Sequence, residues 1–161
     1  TILYFWDPEC GHCKTITPKL AKLYKEKLKA RNVEVYAVGK AIGKDFEAWK
    51  KFIRENKLEF INVAVTDQLY QIAKTDPNSL VPVPNDPREK PTTLASLNYQ
   101  VTFDIYSTPK VFILDKDKKI IAKSLSMSQI EDLLDNLQNK KDSPKIMEQD
   151  AKEDAQMQKK E

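Results

Sequence analysis

The chain has one histidine and only two cysteines among its 161 residues, and that scarcity excludes most metal chemistry. A closed zinc site usually takes four Cys or His ligands, so the three present would suffice only for half of a site bridging two copies. A c-type haem needs histidine directly after the second cysteine of its pair, and here Lys14 follows Cys13. No apolar run approaches the ~20 residues that cross a bilayer, and no signal peptide is visible. A formal charge of +3, dispersed along the chain, argues against a nucleic-acid partner. Thr1 opens directly into apolar sequence without an initiator Met. The chain therefore reads as a fragment of a longer precursor whose targeting region has been cut away. Two cysteines alone do not settle the compartment.

What is present concentrates in Phe5-Trp6-Asp7-Pro8-Glu9-Cys10-Gly11-His12-Cys13-Lys14, which holds both cysteines and the histidine. Ile2 to Trp6 is an apolar, aromatic run of strand length. Beyond Asp7-Pro8 the pattern becomes helical, with Ile16, Leu20, Leu23, Tyr24 and Leu28 on one face. Cys10 thus falls at or just before the first helical turn, and Cys13 about one turn inside. The unpaired N–H groups and positive dipole end of a helix start favour an anion, and the thiolate is the attacking species in disulfide exchange. A fall in pKa from ~8.5 to ~6 raises the thiolate fraction at neutral pH from roughly 3 % to roughly 90 %. Three-residue spacing brings both sulfurs to one side, so Cys13 can attack a mixed disulfide formed on Cys10. Gly11 has no side chain to shield the first sulfur, and His12 offers a positive charge beside it. A purely structural disulfide would close so small a loop that little stabilisation follows.

With 40 % hydrophobic content, the length suits one domain with a sizeable core plus appendages. The first helix is expected over Gly11–Ala30, kinked near Pro18. Val33 to Val38 alternates and is β-branched, a second strand ending at Gly39. The two form a βαβ unit, hence parallel strands in a sheet covered on both faces. A second helix should bury Phe46, Trp49, Phe52 and Ile53, and Phe60 to Val65 reads as a third strand. Residues 67–93 loosen into an insertion. Leu69 to Ala73 suggest a short helix, and Pro77, Pro82, Pro84, Pro87 and Pro91 oppose regular structure. This insertion is either surface decoration or a wall beside the cysteines that helps select a partner. Another short helix is expected over Leu94–Phe103. Ile105 to Leu114 follows, with Pro109 leading an apolar strand, then a turn at Asp115–Lys119 and a return strand from Ile120. Ser126 with Gln129, or Ser128 with Glu131, forms a capping box for a closing helix packing Ile130, Leu133, Leu134 and Leu137. Residues 140–161 form a charged tail, with no function assigned and either disordered or a solvated helix.

This order of elements, with Phe5-Trp6 before Cys10-Gly11-His12-Cys13 and Tyr106-Ser107-Thr108-Pro109 before Val111-Phe112-Ile113-Leu114-Asp115, resembles the thioredoxin superfamily. More narrowly it is similar to the TlpA/ResA-type thiol–disulfide oxidoreductases of bacterial envelopes, over about residues 1–139. The resemblance implies an α/β thioredoxin-like fold, a central mixed sheet with helices on both faces. It implies Cys10 as nucleophile, Cys13 as resolving thiol, and a cis Thr108–Pro109 peptide facing them with the Thr108 backbone pairing to substrate. The Cys-Gly-His-Cys tetrapeptide is also that of protein disulfide isomerase, so His12 leans the pair toward the oxidising side. No cofactor or metal is required. The partners implied are protein disulfides or dithiols and an unidentified redox partner. The location implied is the bacterial periplasm or cell envelope, with an anchor upstream of this chain and no membrane contact within it. Three positions depart from the family: Tyr4 stands where thioredoxin has an acid, Ile16 where ResA-type proteins have a glutamate, and Glu9 where a Trp usually precedes the first cysteine. Glu9 or Asp7 is left to handle the proton of the second thiol, although a carboxylate near Cys10 also opposes its ionisation. The alternative to an enzyme is a thioredoxin-fold binding module whose cysteines register redox state without turnover.

Overall fold

The computed structural model describes residues 1–80 and 97–138. The expectations for 81–96, including four of the insertion's five prolines, and for the tail 140–161 lie outside the described residues. The elements run β1 (Ile2–Trp6), α1 (Gly11–Leu23), β2 (Val35–Gly39), α2 (Asp45–Glu55), β3 (Ile61–Ala64), α3 (Asp67–Thr75), α4 (Tyr99–Thr102), β4 (Lys110–Leu114), β5 (Ile120–Lys123) and α5 (Met127–Leu137).

The five strands form one mixed sheet in the order β3-β2-β1-β4-β5. β1, β2 and β3 run parallel, while β4 is antiparallel to β1 and β5 to β4. β1 lies at the centre and is covered on both faces, which is why it reads as an unbroken apolar run. Ile2, Tyr4 and Trp6 join Leu20, Leu23, Ile130 and Leu134 in the main core, against which Trp49, Phe52 and Ile53 of α2 also pack. Alternation sends Phe5 to the opposite face. There it stacks on Tyr99 at 5.5 Å and packs against Phe103 and Phe112. The sheet therefore has helices on both faces, the long ones together and the single turn α4 across from them. The short edge strand β5 leaves Ile120 and Ile121 half exposed, a cost that edge strands commonly carry.

Several sequence expectations need correction. α1 runs through Pro18 and continues as a π turn over Tyr24–Leu28 and a 3-10 turn over Lys29–Arg31. The ladder irregularity thus falls well after the proline. Asn32 leaves that turn in the left-handed region, at φ 55°, and pairing with β1 begins only at Val35. β2 is therefore two residues shorter at its start than the alternation from Val33 suggests. Part of the 67–93 insertion is regular: α3 is capped by the Thr66 side chain, which accepts from Leu69 N–H. α5 has the Ser126–Gln129 version of the capping box. Leu137 is exposed rather than packed, whereas Glu131 and Asp135 are buried. These two carboxylates pair with Lys27 and Arg31 at the end of the first helix, so the inward side of α5 carries ion pairs as well as Met127, Ile130 and Leu134.

Candidate functional site

The loop joining β1 to α1 is built by Asp7. Its carboxylate accepts the Glu9 N–H at 2.8 Å and its carbonyl accepts the Cys10 N–H at 3.2 Å. That turn places Cys10 at the N-cap, in extended conformation, with its carbonyl receiving the Lys14 N–H at 3.0 Å. Cysteine offers no oxygen to cap the helix, so the first-turn N–H groups stay available to a sulfur anion. Cys13 sits in the first turn and is fully buried, with the Asp7 N–H directed at its sulfur at 3.5 Å. Both cysteines are free thiols.

The second loop of the site comes from 105–109. Antiparallel pairing of Phe5 with Lys110 sets the start of β4 beside the carboxyl end of β1. The Thr108–Pro109 peptide is cis, and the Cys10 thiol donates to the Thr108 carbonyl oxygen at 3.2 Å. Burial by itself raises the Cys10 pKa. Hydrogen bonds from the Cys13 backbone N–H, the Thr108 hydroxyl, the Cys13 thiol and the His12 backbone N–H outweigh it, and the net result lies below the ordinary value. Burial pushes Cys13 the other way, up to about 12, against the pull of the Asp7 N–H. The pair is therefore asymmetric: an accessible thiol that ionises readily and a sequestered one that holds its proton.

His12 is exposed, and what it brings to Cys10 is its backbone N–H. A Cβ at Gly11 would meet nothing within 4 Å, so the approach to the pair is open on that side. Glu9 pairs with Lys14 at 3.8 Å on the surface. Asp7 pairs with Lys40 at 3.5 Å, and the same ammonium reaches Asp45 at 3.6 Å. Tyr4 is fully buried, its hydroxyl 2.8 Å from the equally buried Thr17 hydroxyl, and burial raises its pKa strongly. Beneath the thiols, then, lies a neutral hydroxyl pair.

Sequence reasoning passed over Lys40, Tyr99 and Tyr106. These residues and the 105–108 loop line a cavity of about 210 Å³ that begins at Asp7 and Thr108. The available signal was positional: Lys40 directly follows the last residue of β2, at the same sheet edge as Cys10. Among the described residues no group of three or more His, Cys, Asp or Glu is placed to hold a metal ion. No described helix is long and apolar enough to cross a membrane.

Comparison with known proteins agrees with this fold. A thioredoxin-like family model matches residues 1–120. A domain of a "possible thiol-disulfide isomerase" from Cytophaga hutchinsonii is 33 % identical, with TM-score 0.58 over 86 % of this chain and 75 % of that one. The thioredoxin domain of a thiol–disulfide oxidoreductase from Bacteroides vulgatus is 22 % identical, with TM-score 0.56 over 86 % and 76 %. StoA from Bacillus subtilis is 20 % identical, with TM-score 0.53 over 83 % and 78 %; these last two likenesses are of fold. No match was found among curated protein sequences.

Proposed function

The chain belongs to the thioredoxin-like family, as the TlpA/ResA-type resemblance implied, and from that premise we propose that it exchanges disulfides with protein substrates through Cys10 and Cys13. The observation that carries this reading is the placement of two thiols at one helix start, Cys10 half-buried at the N-cap against the Thr108 carbonyl and Cys13 fully buried in the first turn, with the Cys10 pKa lowered and that of Cys13 raised. The redox role at family level is supported by the thioredoxin-like family match and by the likeness to a domain of a possible thiol-disulfide isomerase.

In the reducing direction the Cys10 thiolate attacks one sulfur of a substrate disulfide. A Cys10–substrate S–S bond forms, the substrate S–S bond breaks, and the released substrate thiolate takes a proton. Cys13 then gives up its proton and attacks the Cys10 sulfur, forming the Cys10–Cys13 disulfide and releasing the second substrate thiolate. The substrate gains two electrons, and an external dithiol must return them to the enzyme for another turn. The oxidising direction runs the same steps backwards. Thr108 and Pro109 form the wall against which the substrate backbone lies, and the His12 N–H helps hold the Cys10 thiolate. We place the protein in the bacterial periplasm or cell envelope, on the strength of the TlpA/ResA-type resemblance.

Insulin reduction with dithiothreitol as electron source tests the reading. The wild type should accelerate it, Cys10→Ser should abolish the acceleration, and Cys13→Ser should accumulate a mixed disulfide with insulin. A wild type that neither reduces insulin nor cycles with dithiothreitol overturns it. A Cys10→Ser protein that retains all activity of the chain would favour a binding module instead.

A further inference from the structure

The cavity beside the thiols has features that ordinary disulfide exchange does not need. Its apolar lining is Phe5, Trp6, Val38, Tyr99, Ile105 and Tyr106, beside the polar Gln100 and Ser107. Phe5 and Trp6 are buried, whereas Tyr106 stands 90 % exposed at the mouth, two residues before the carbonyl that holds the Cys10 thiol. The exposed ring of Tyr106 is a face that a substrate side chain seated in the cavity would cover. Among the described residues, the charged ones lining the cavity are Asp7 and Lys40, and they are already paired with each other. An incoming carboxylate would be repelled by Asp7, and an incoming ammonium would compete with Lys40 for carboxylates it already holds. Neither would recover its desolvation cost. An uncharged ring would lose nothing of that kind and would gain stacking against Tyr106 and Tyr99.

We propose that this cavity is a specificity subsite that takes an aromatic side chain of the substrate polypeptide, one or two residues from the cysteine under attack. The inference rests on the thiol–disulfide exchange reading and names the substrate class for that same site. The spacing fits: an extended chain advances ~3.3 Å per residue, and Thr108, whose carbonyl touches Cys10, is one of the residues lining the cavity. Tyr106 and Tyr99 are thus specificity residues, not participants in bond exchange.

The test uses reduced protein and disulfide-linked dimers of short blocked peptides Gly-X-Cys-X-Gly, with X as Phe, Leu, Ala, Lys or Glu. Oxidation of the protein is followed by acid quench and mass spectrometry, and each rate is divided by the rate of the same peptide with glutathione. That division removes intrinsic reactivity. The Phe peptide should react about tenfold faster than the Ala peptide, with Lys and Glu no faster than Ala. Tyr106→Ala, a substitution at an exposed position, should bring the Phe-to-Ala ratio within about twofold of one. A flat series, a fastest peptide bearing charge, or a ratio that survives Tyr106→Ala overturns the inference. Hydroxyethyl disulfide separates the two failures: if it oxidises the protein while the series is flat, only the subsite is wrong. If it too fails, the exchange reading falls and the subsite with it.

Discussion

The Cys10 sulfur lies 3.2 Å from the carbonyl oxygen of Thr108, a residue 98 positions further along the chain. That contact joins the loop after β1 to the loop before β4, and the central position of β1 makes it geometrically unavoidable. β2 supplies the third loop of the same edge, because Lys40 N–H bonds back to the Trp6 carbonyl at 3.0 Å. Three strand ends therefore meet at the sheet edge that carries Cys10, and the tuning of its sulfur is the first thing to measure.

With the Cys10 pKa lowered and Cys13 raised to about 12, iodoacetamide should modify only one thiol across ordinary pH. The Cys10 rate should rise with a midpoint below that of an unperturbed thiol, falling away as pH drops through that midpoint. Cys13 should stay unmodified up to about pH 9 in the reduced wild type, as peptide mapping would show. Equal labelling of both thiols at pH 8 would contradict the asymmetry.

A readily ionised Cys10 stabilises the dithiol form, which makes the couple more oxidising. Its midpoint potential against glutathione should lie above the ~−270 mV of thioredoxin, toward the ~−180 mV of protein disulfide isomerase. A value at or below −270 mV would mean that the buried Cys13 proton dominates the balance.

Lys40 holds two largely covered carboxylates, Asp7 and Asp45, and the peptide groups of Asp7 touch both cysteines. Lys40→Gln leaves Asp7 uncompensated, and nearby negative charge disfavours a second anion. The Cys10 alkylation midpoint should move up and the rate at pH 7 should fall, by roughly twofold to fivefold. Lys40→Arg should restore it, and Asp7→Asn combined with Lys40→Gln should recover most of the loss. An unchanged profile in Lys40→Gln would show that the ion pair only ties the loops together.

How much of this was readable beforehand follows from the range of each interaction. The sheet, the placement of Cys10 and Cys13 at a helix start, and the Ser126 cap rest on period and on neighbours within four residues, which a linear string displays. Cys10 with Thr108 required the family resemblance, since no local pattern couples them. Lys40, Tyr99 and Tyr106 were missed because they gain meaning only where three loops meet. Leu137 was misplaced because hydrophobic period alone cannot see that Glu131 and Asp135 find cationic partners across the interface with α1. Glu9 and Asp7 were considered as proton carriers, and the structure finds each already engaged by a lysine.

That same interface offers a sharp stability test. Arg31 and Asp135 pair at 2.7 Å with side chains 6 % and 3 % exposed, and Arg31 also donates to Gln138 Oε1 at 2.7 Å. Removing one member of a buried pair strands the other charge, which typically costs ~3–5 kcal/mol, whereas replacing both with apolar groups is often close to neutral. Arg31→Met should therefore lower the unfolding free energy in urea by about 3 kcal/mol, and Arg31→Met with Asp135→Leu should recover more than half of it. The Cys10 alkylation profile should stay as in the wild type in both, since the pair lies at the far end of the first helix from the thiols. If the single variant costs under ~1 kcal/mol, the pair is solvated in solution, and the inward turn of this side of α5 must come from Ile130 and Leu134 alone.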